Sequence, residues 1–122
     1  MIEVVRENDV ALLTFRPPND ALDDEAVEQV AGPLLRAAAA DPPCMVLDLG
    51  HVTFFGSSFI ELVFRVWKRL KERGGALVLC RLHPHCAEVL RVTKLDTLWT
   101  TCATCEEAAA KAAEIGGSGR SG

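Results

Sequence analysis

Residues 44–70 read CMVLDLGHVTFFGSSFIELVFRVWKRL, and this stretch decides the fold. Cys44, Met45, Val46, Leu47 and Leu49 make an apolar run broken only by Asp48, with Pro42-Pro43 before it and Gly50 after it. Such a run between turn residues is the pattern of a strand covered on both faces. Val52, Phe54 and Phe55 lead into Gly56-Ser57-Ser58. From Phe59 the apolar residues fall at 59, 62, 63, 66, 67 and 70, one face of a helix over 59–73. Arg65, Lys68, Arg69 and Lys71 take the wet face and put cations in the last turns, where the helix dipole favours them. Gly74-Gly75 ends the helix, and Ala76 to Cys80 (ALVLC) is the next strand. Strand, serine turn, helix, glycines and strand make a parallel crossover unit, which is right-handed in nearly all cases. It sets two hydroxyls, one of them the expected N-cap, where a helix N-terminus meets the carboxyl edge of a sheet, the edge at which open α/β sheets bind ligands and partners.

Working outward, Ile2 to Glu7 and Val10 to Phe15 flank Asn8-Asp9, a hairpin signal with the first strand at an antiparallel edge. Asp23 is a suitable N-cap, and Asp24 and Glu25 place negative charge in the first turn of a helix over 24–40. Its inward residues are Ala26, Val27, Val30, Leu34 and Leu35, and Gly32-Pro33 predicts a kink or a broken turn. Beyond the central unit come a strand over 76–82 and a helix from Pro84 with Ala87, Val89, Leu90, Val92 and Leu95 inward. A short strand over 97–101 and a helix over 105–115 capped by Thr104 follow. GGSGRSG at 116–122 reads as a flexible tail. The order is ββαβαβαβα. It implies an α/β single domain over residues 1–115, with a mixed, mostly parallel sheet, one antiparallel edge strand and surrounding helices.

The chain of 122 residues suits one core, and 49% hydrophobic content supplies it. A net charge of −4 with mixed signs gives no nucleic-acid stripe; the basic cluster from Lys68 to Arg73 is short and interleaved with Glu72. No apolar run approaches the roughly 20 residues of a membrane span, and Met1-Ile2-Glu3 leads into a charged strand pattern, so no signal peptide is expected. Five cysteines, two of them in buried strands, point to free thiols in a reducing cytoplasm. His83, His85 and Cys86 follow one predicted strand, and Cys102 and Cys105 the next. If those strands are parallel neighbours the five share an edge, and Cys102-x-x-Cys105 has zinc-ligand spacing. With no second CxxC, the expectation is no metal and no cofactor, with this set as the metal or redox alternative. No Gly-rich phosphate loop, carboxylate pair or histidine base accompanies the serines, so catalysis is not expected. Trp67 and Trp99 are core residues. Of Phe54, Phe55 and Phe59, at least two belong to the core, and one is a candidate interface anchor.

Taken together, these segments resemble the STAS domain family, and within it the stand-alone bacterial anti-sigma factor antagonists. Leu22-Asp23 is similar to the family's Leu-Asp before its first helix. Val46-Leu47-Asp48-Leu49 with Val52-Thr53-Phe54 resembles its central strand and approach. Ser57-Ser58 falls where the family has Asp-Ser-Ser-Gly, with Gly56 in place of the Asp and Phe59 in place of the Gly. Arg73-Gly74-Gly75 before Leu77-Val78-Leu79 is similar to its Gly-Gly strand entry. Val89-Leu90 to Leu95-Asp96-Thr97-Leu98 resembles its closing signature, with Lys94 where that signature has glycine. The resemblance covers about residues 1–115. It implies a binding module rather than a catalyst. Ser58, with Ser57 as the alternative, would be phosphorylated by an anti-sigma factor that is itself a serine kinase, and a serine/threonine phosphatase would reset it. The implied partner surface comprises Asp23, Gly56, Ser57, Ser58 and Phe59. The alternative is a non-phosphorylated interaction module of another signalling assembly.

Overall fold

The computed structural model describes residues 2–7, 9–16, 21–41 and 43–118. Strand β1 (Ile2–Glu7) pairs antiparallel with β2 (Val10–Phe15), in the register Ile2 opposite Phe15 to Glu7 opposite Val10. A two-residue strand β3 (Ala21–Leu22) leads into helix α1 (Asp24–Ala39), and β4 (Cys44–Asp48) follows. A second short strand, β5 (Phe54–Phe55), precedes α2 (Ser57–Glu72), then β6 (Ala76–Cys80) and α3 (Pro84–Val92). A 3₁₀ turn at Leu95–Thr97 precedes β7 (Thr100–Cys102) and α4 (Cys105–Ser118). The main sheet has the order β1-β2-β4-β6-β7, parallel from β2 onward, with β1 as the antiparallel edge.

Successive parallel strands are added in one direction, so crossovers of one hand lay α1, α2 and α3 on one face. Strand alternation then sorts the side chains. Leu13 and Phe15 of β2, Met45 and Leu47 of β4, and Leu77 and Leu79 of β6 pack with Val30 and Leu34 of α1 and Leu62, Val63, Val66 and Leu70 of α2. Val10, Val46, Val78 and Cys80 face the other way, where α4 lays down Ala108 and Ala112. β4 is buried along its whole length, as its apolar run implies.

Several boundaries differ from the sequence reading, each for a local reason. The helix containing Pro33 is continuous from Asp24 to Ala39 rather than broken. Its carbonyl end is tied down from outside: Arg73 donates to the Ala38 oxygen at 2.6 Å and the Ala40 oxygen at 2.8 Å. β6 stops at Cys80 because Arg81 turns left-handed, with φ 57. The last strand is β7 over 100–102 rather than 97–101, the 3₁₀ turn having taken 95–97. On α3 the buried residues are Cys86 and Leu90, while Ala87 and Val92 are exposed. α4 runs to Ser118, three residues into the segment assigned to the tail; 119–122 lie outside the described residues.

Two positions give direct tests of this packing. A Cβ on Gly75 would lie 1.8 Å from the Pro43 carbonyl oxygen, which already accepts from the Ala76 N–H at 3.0 Å. Neither backbone can give way, so Gly75→Ala is expected to cost about 3 kcal/mol, the upper part of the overpacking range; a urea midpoint equal to wild type would refute this. Lys94 is the opposite case, a side chain held left-handed at φ 62 just after the cap of α3. Glycine takes that conformation without steric penalty. Lys94→Gly should raise stability by about 0.5–1 kcal/mol in the same titration.

Candidate functional site

The site is built by two strands too short to announce themselves. β3 and β5 pair in parallel, Ala21 opposite Phe54 and Leu22 opposite Phe55. Leu22 and Phe55 are buried and anchor the pair. The Gly56 N–H donates to the Leu22 carbonyl at 3.2 Å. The chain entering α1 and the chain entering α2 therefore run side by side, and the two helices start together.

Each start is capped differently. The Asp23 side chain accepts from the Ala26 N–H at 2.9 Å, the N-cap the sequence predicts. At α2 neither serine caps, contrary to the sequence reading. The cap is Gly56, extended and without a side chain, and the Ile60 N–H closes the first turn onto its carbonyl at 3.3 Å. Ser57 and Ser58 are the first two helical residues; Ser57 is exposed and Ser58 half-buried. The Ser58 hydroxyl is taken up across the clamp, where it donates to the Asp24 carboxylate. α2 has no acid in its own first turn. Asp24 supplies a negative charge to the positive ends of both helix dipoles.

The phenylalanines divide. Phe55 and Phe59 lie in the core, with ring centroids 5.4 Å apart, and Phe59 meets Phe15 edge-on at 5.7 Å. Phe59 is 2% exposed and forms no part of a surface, because its helical position shares the stripe of Leu62, Val63 and Val66. Phe54 is the exposed anchor, 44% accessible and stacked on His85 at 6.5 Å. Asp23, Gly56, Ser57 and Ser58 do lie together, with Asp24 and Phe54 added. Asp24 reads in sequence only as a first-turn charge. What brings it to Ser58 is the β3–β5 pairing, and two residues carry no periodicity.

The metal alternative fares differently. His83, His85, Cys86, Cys102 and Cys105 do not converge among the described residues. His83 accepts from the His85 N–H as the cap of α3. Cys86 is buried with its thiol toward the Val52 carbonyl. Cys105 meets Cys80 rather than Cys102, the two sulfurs lying 2.9 Å apart. Burial pushes both thiols up. Beside them, burial would raise Asp48. Hydrogen bonds from Arg81 and the Gly50 N–H outweigh it and hold the carboxylate below its ordinary value.

The model of the STAS domain matches residues 1–108. The chain belongs to the STAS domain family. This STAS domain superposes on an anti-sigma-factor antagonist (STAS) domain protein of Planctomyces limnophilus with a TM-score of 0.87. That match has 41% identity and covers 92% of this chain and 97% of the other. BtrV of Bordetella bronchiseptica, named as an anti-sigma factor antagonist, is 36% identical over 66 residues, 54% of this chain. The match spans 57% of the length of that relative. SpoIIAA from Bacillus, solved in its phosphorylated form, shares the fold at a TM-score of 0.67 and 21% identity, over 88% of this chain and 96% of the other. Among the described residues of this STAS domain, no helix is long and apolar enough to cross a membrane.

The two neighbouring aspartates should separate in a stability measurement. Asp23→Ala removes the cap of α1 and should cost about 1 kcal/mol. Asp24→Ala removes the acceptor of an accessible hydroxyl and should cost less than half of that. Equal losses in urea denaturation would contradict the division of roles.

Proposed function

We propose that this STAS domain is an anti-sigma factor antagonist switched by phosphorylation. Its partner is an anti-sigma factor that is also an ATP-dependent serine kinase, acting in the cytoplasm, and a serine/threonine phosphatase resets it. The binding unit is the domain over residues 1–115, which is a substrate and a binding module rather than a catalyst. The observation that carries this reading is the placement of the Ser58 hydroxyl: at a helix N-terminus, on the carboxyl edge of the sheet, bonded to Asp24. The names of the Planctomyces and Bordetella relatives support the antagonist role.

The partner surface joins the acids at the start of α1 to an aromatic anchor. Asp23, Asp24 and Glu25 are exposed beside Ser57 and Ser58, and Phe54 stands next to them. A partner with a cationic group near an apolar pocket fits such a surface. Phe59 leaves the approach to Ser58 open, since its ring points into the core.

Phosphorylation changes the local electrostatics at one atom. Ser58 loses the proton it gives to Asp24, and a group of about −1.5 to −2 charges with three acceptor oxygens takes its place. The N-terminus of α2 favours that charge, so the fold tolerates it. Asp24 does not favour it, because a dianion and a carboxylate would now face each other across the clamp. The partner would also have to desolvate the dianion beside Phe54. Modification thus breaks binding without unfolding the domain.

The test uses the anti-sigma factor serine kinases of the same genome, ATP and mass spectrometry to map the phosphosite, then binding of variants. Ser58→Ala should bind like the unmodified chain, and Ser58→Asp at least tenfold more weakly. If repulsion across the clamp contributes, Ser58→Asp with Asp24→Asn should recover part of that loss. No phosphate at Ser57 or Ser58, with equal binding by wild type, Ser58→Ala and Ser58→Asp, would reject the switch and leave a constitutive interaction module.

A further inference from the structure

On the other face of the same sheet edge, Asp48, Cys80 and Cys105 converge. Asp48 and Cys80 end adjacent parallel strands and are direct register partners, so their side chains emerge together toward α4. Cys105 is the first residue of α4, and the Thr104 hydroxyl, accepting from the Glu107 N–H at 3.1 Å, fixes the turn that delivers it. The two sulfurs are 2.9 Å apart, and one ligand atom from each of the three residues lies within 4.8 Å of the others. We propose that Cys80, Cys105 and Asp48 form a binding site for a thiophilic divalent cation of the zinc class.

The dimensions suit such an ion. Zinc bonds of about 2.3 Å to sulfur and about 2.0–2.2 Å to oxygen at a tetrahedral angle need ligand separations of about 3.5–3.8 Å. Small side-chain rotations reach those separations from the observed spacing. Two thiolates with one carboxylate are a borderline-soft donor set that leaves the fourth tetrahedral position to water or to a further donor. Cys102, the register partner of Cys80 on β7, packs on the same face but lies outside the three donors that converge.

An outer shell is already built. Asp48 Oδ1 accepts from the Gly50 N–H at 3.0 Å and from Arg81 Nε at 2.8 Å, which orients the carboxylate. Its Oδ2 is held less closely, 3.2 Å from the Arg81 guanidinium, and is the oxygen that would turn to the metal. Arg81 offsets the negative charge that a divalent ion leaves on two thiolates and a carboxylate. Binding releases the two thiol protons and involves no redox change.

The experiment loads the full chain, reduced and under nitrogen, with zinc(II), separates free metal by gel filtration and measures the bound metal. Cobalt(II) serves as the spectroscopic probe. The expected result is about one zinc per chain, thiolate-to-cobalt charge-transfer absorption, and at least tenfold weaker binding in Cys80→Ser and Cys105→Ser. Cys86→Ala, on the opposite face, should bind normally. A second measurement needs no variant: zinc should shield Cys80 and Cys105 of the wild type from alkylation and raise its melting temperature. A reduced wild type that takes up no metal, or uptake unchanged in both serine variants, would overturn the proposal.

Discussion

The structure depends on the burial of β4 on every side. Its backbone is paired to β2 and to β6, helices cover both faces, and each of its residues is buried. A strand so enclosed displays nothing along its length, so whatever chemistry it positions must sit at its carboxyl end. That end is Asp48, a charge whose burial is tolerated only because partners meet it. Arg81 supplies two hydrogen bonds to it and accepts a left-handed backbone to do so. A Cβ at Gly50 would lie 2.3 Å from the same guanidinium, so a larger residue there would shift Arg81 off the carboxylate. The buried charge thereby fixes the course of the chain as it leaves the sheet.

That course sets up the α1–α2 face. The connection after Asp48 is pinned by the Leu49 N–H on the Cys80 carbonyl and the Val52 N–H on the Leu49 carbonyl, both at 3.0 Å. It arrives at Phe54–Phe55 aligned with Ala21–Leu22, and the two-strand clamp closes. The closing bonds are few, and the buried pair Leu22 and Phe55 supplies the apolar contact that keeps so short a ladder together. Two helix N-termini are brought to one spot, and one carboxylate serves both.

How much of this could be read beforehand follows the length of each pattern. β4 was legible because its apolar run is short and bounded by Pro42-Pro43 and Gly50, and α2 because its stripe at 59, 62, 63, 66 and 70 has helical spacing. The parallel order followed from alternation, and the cap at Asp23 from its residue type and place. The serines fall at the helix start as read, but neither caps it; Gly56 looks like a turn residue until the backbone shows it capping the helix. Ser58 to Asp24 and Cys80 to Cys105 are contacts between residues 34 and 25 positions apart. No local spacing encodes such contacts; register and two-residue strands do. The Cys102-x-x-Cys105 spacing, read only as an alternative, fails for the same reason. A strand end and a helix start separate its two thiols, and the register partner on β6 is nearer to the second one.

The cysteines show how the two faces came to differ. α4 packs on the sheet through alanines, Ala108 and Ala112, which let its axis approach closely. Cys44, Cys80, Cys102 and Cys105 gather under it, whereas the α1–α2 face is filled by leucine, valine and phenylalanine. A close-packed helix over small, polarizable side chains leaves donor atoms near one another; a face of large side chains does not. The hydroxyl that faces a partner and the thiols that face α4 thus occupy opposite sides of one sheet edge. They are joined through the chain by the connection from Asp48 to Phe54. Movement of the Asp48 carboxylate passes first to Gly50 and Arg81, which hold it directly. Among the described residues it reaches the clamp along that connection, whose Leu49 N–H is held by Cys80 and whose Val52 N–H closes the turn. Changes on one face are therefore expected to leave the other nearly additive in energy, as they are for sites with no shared partner.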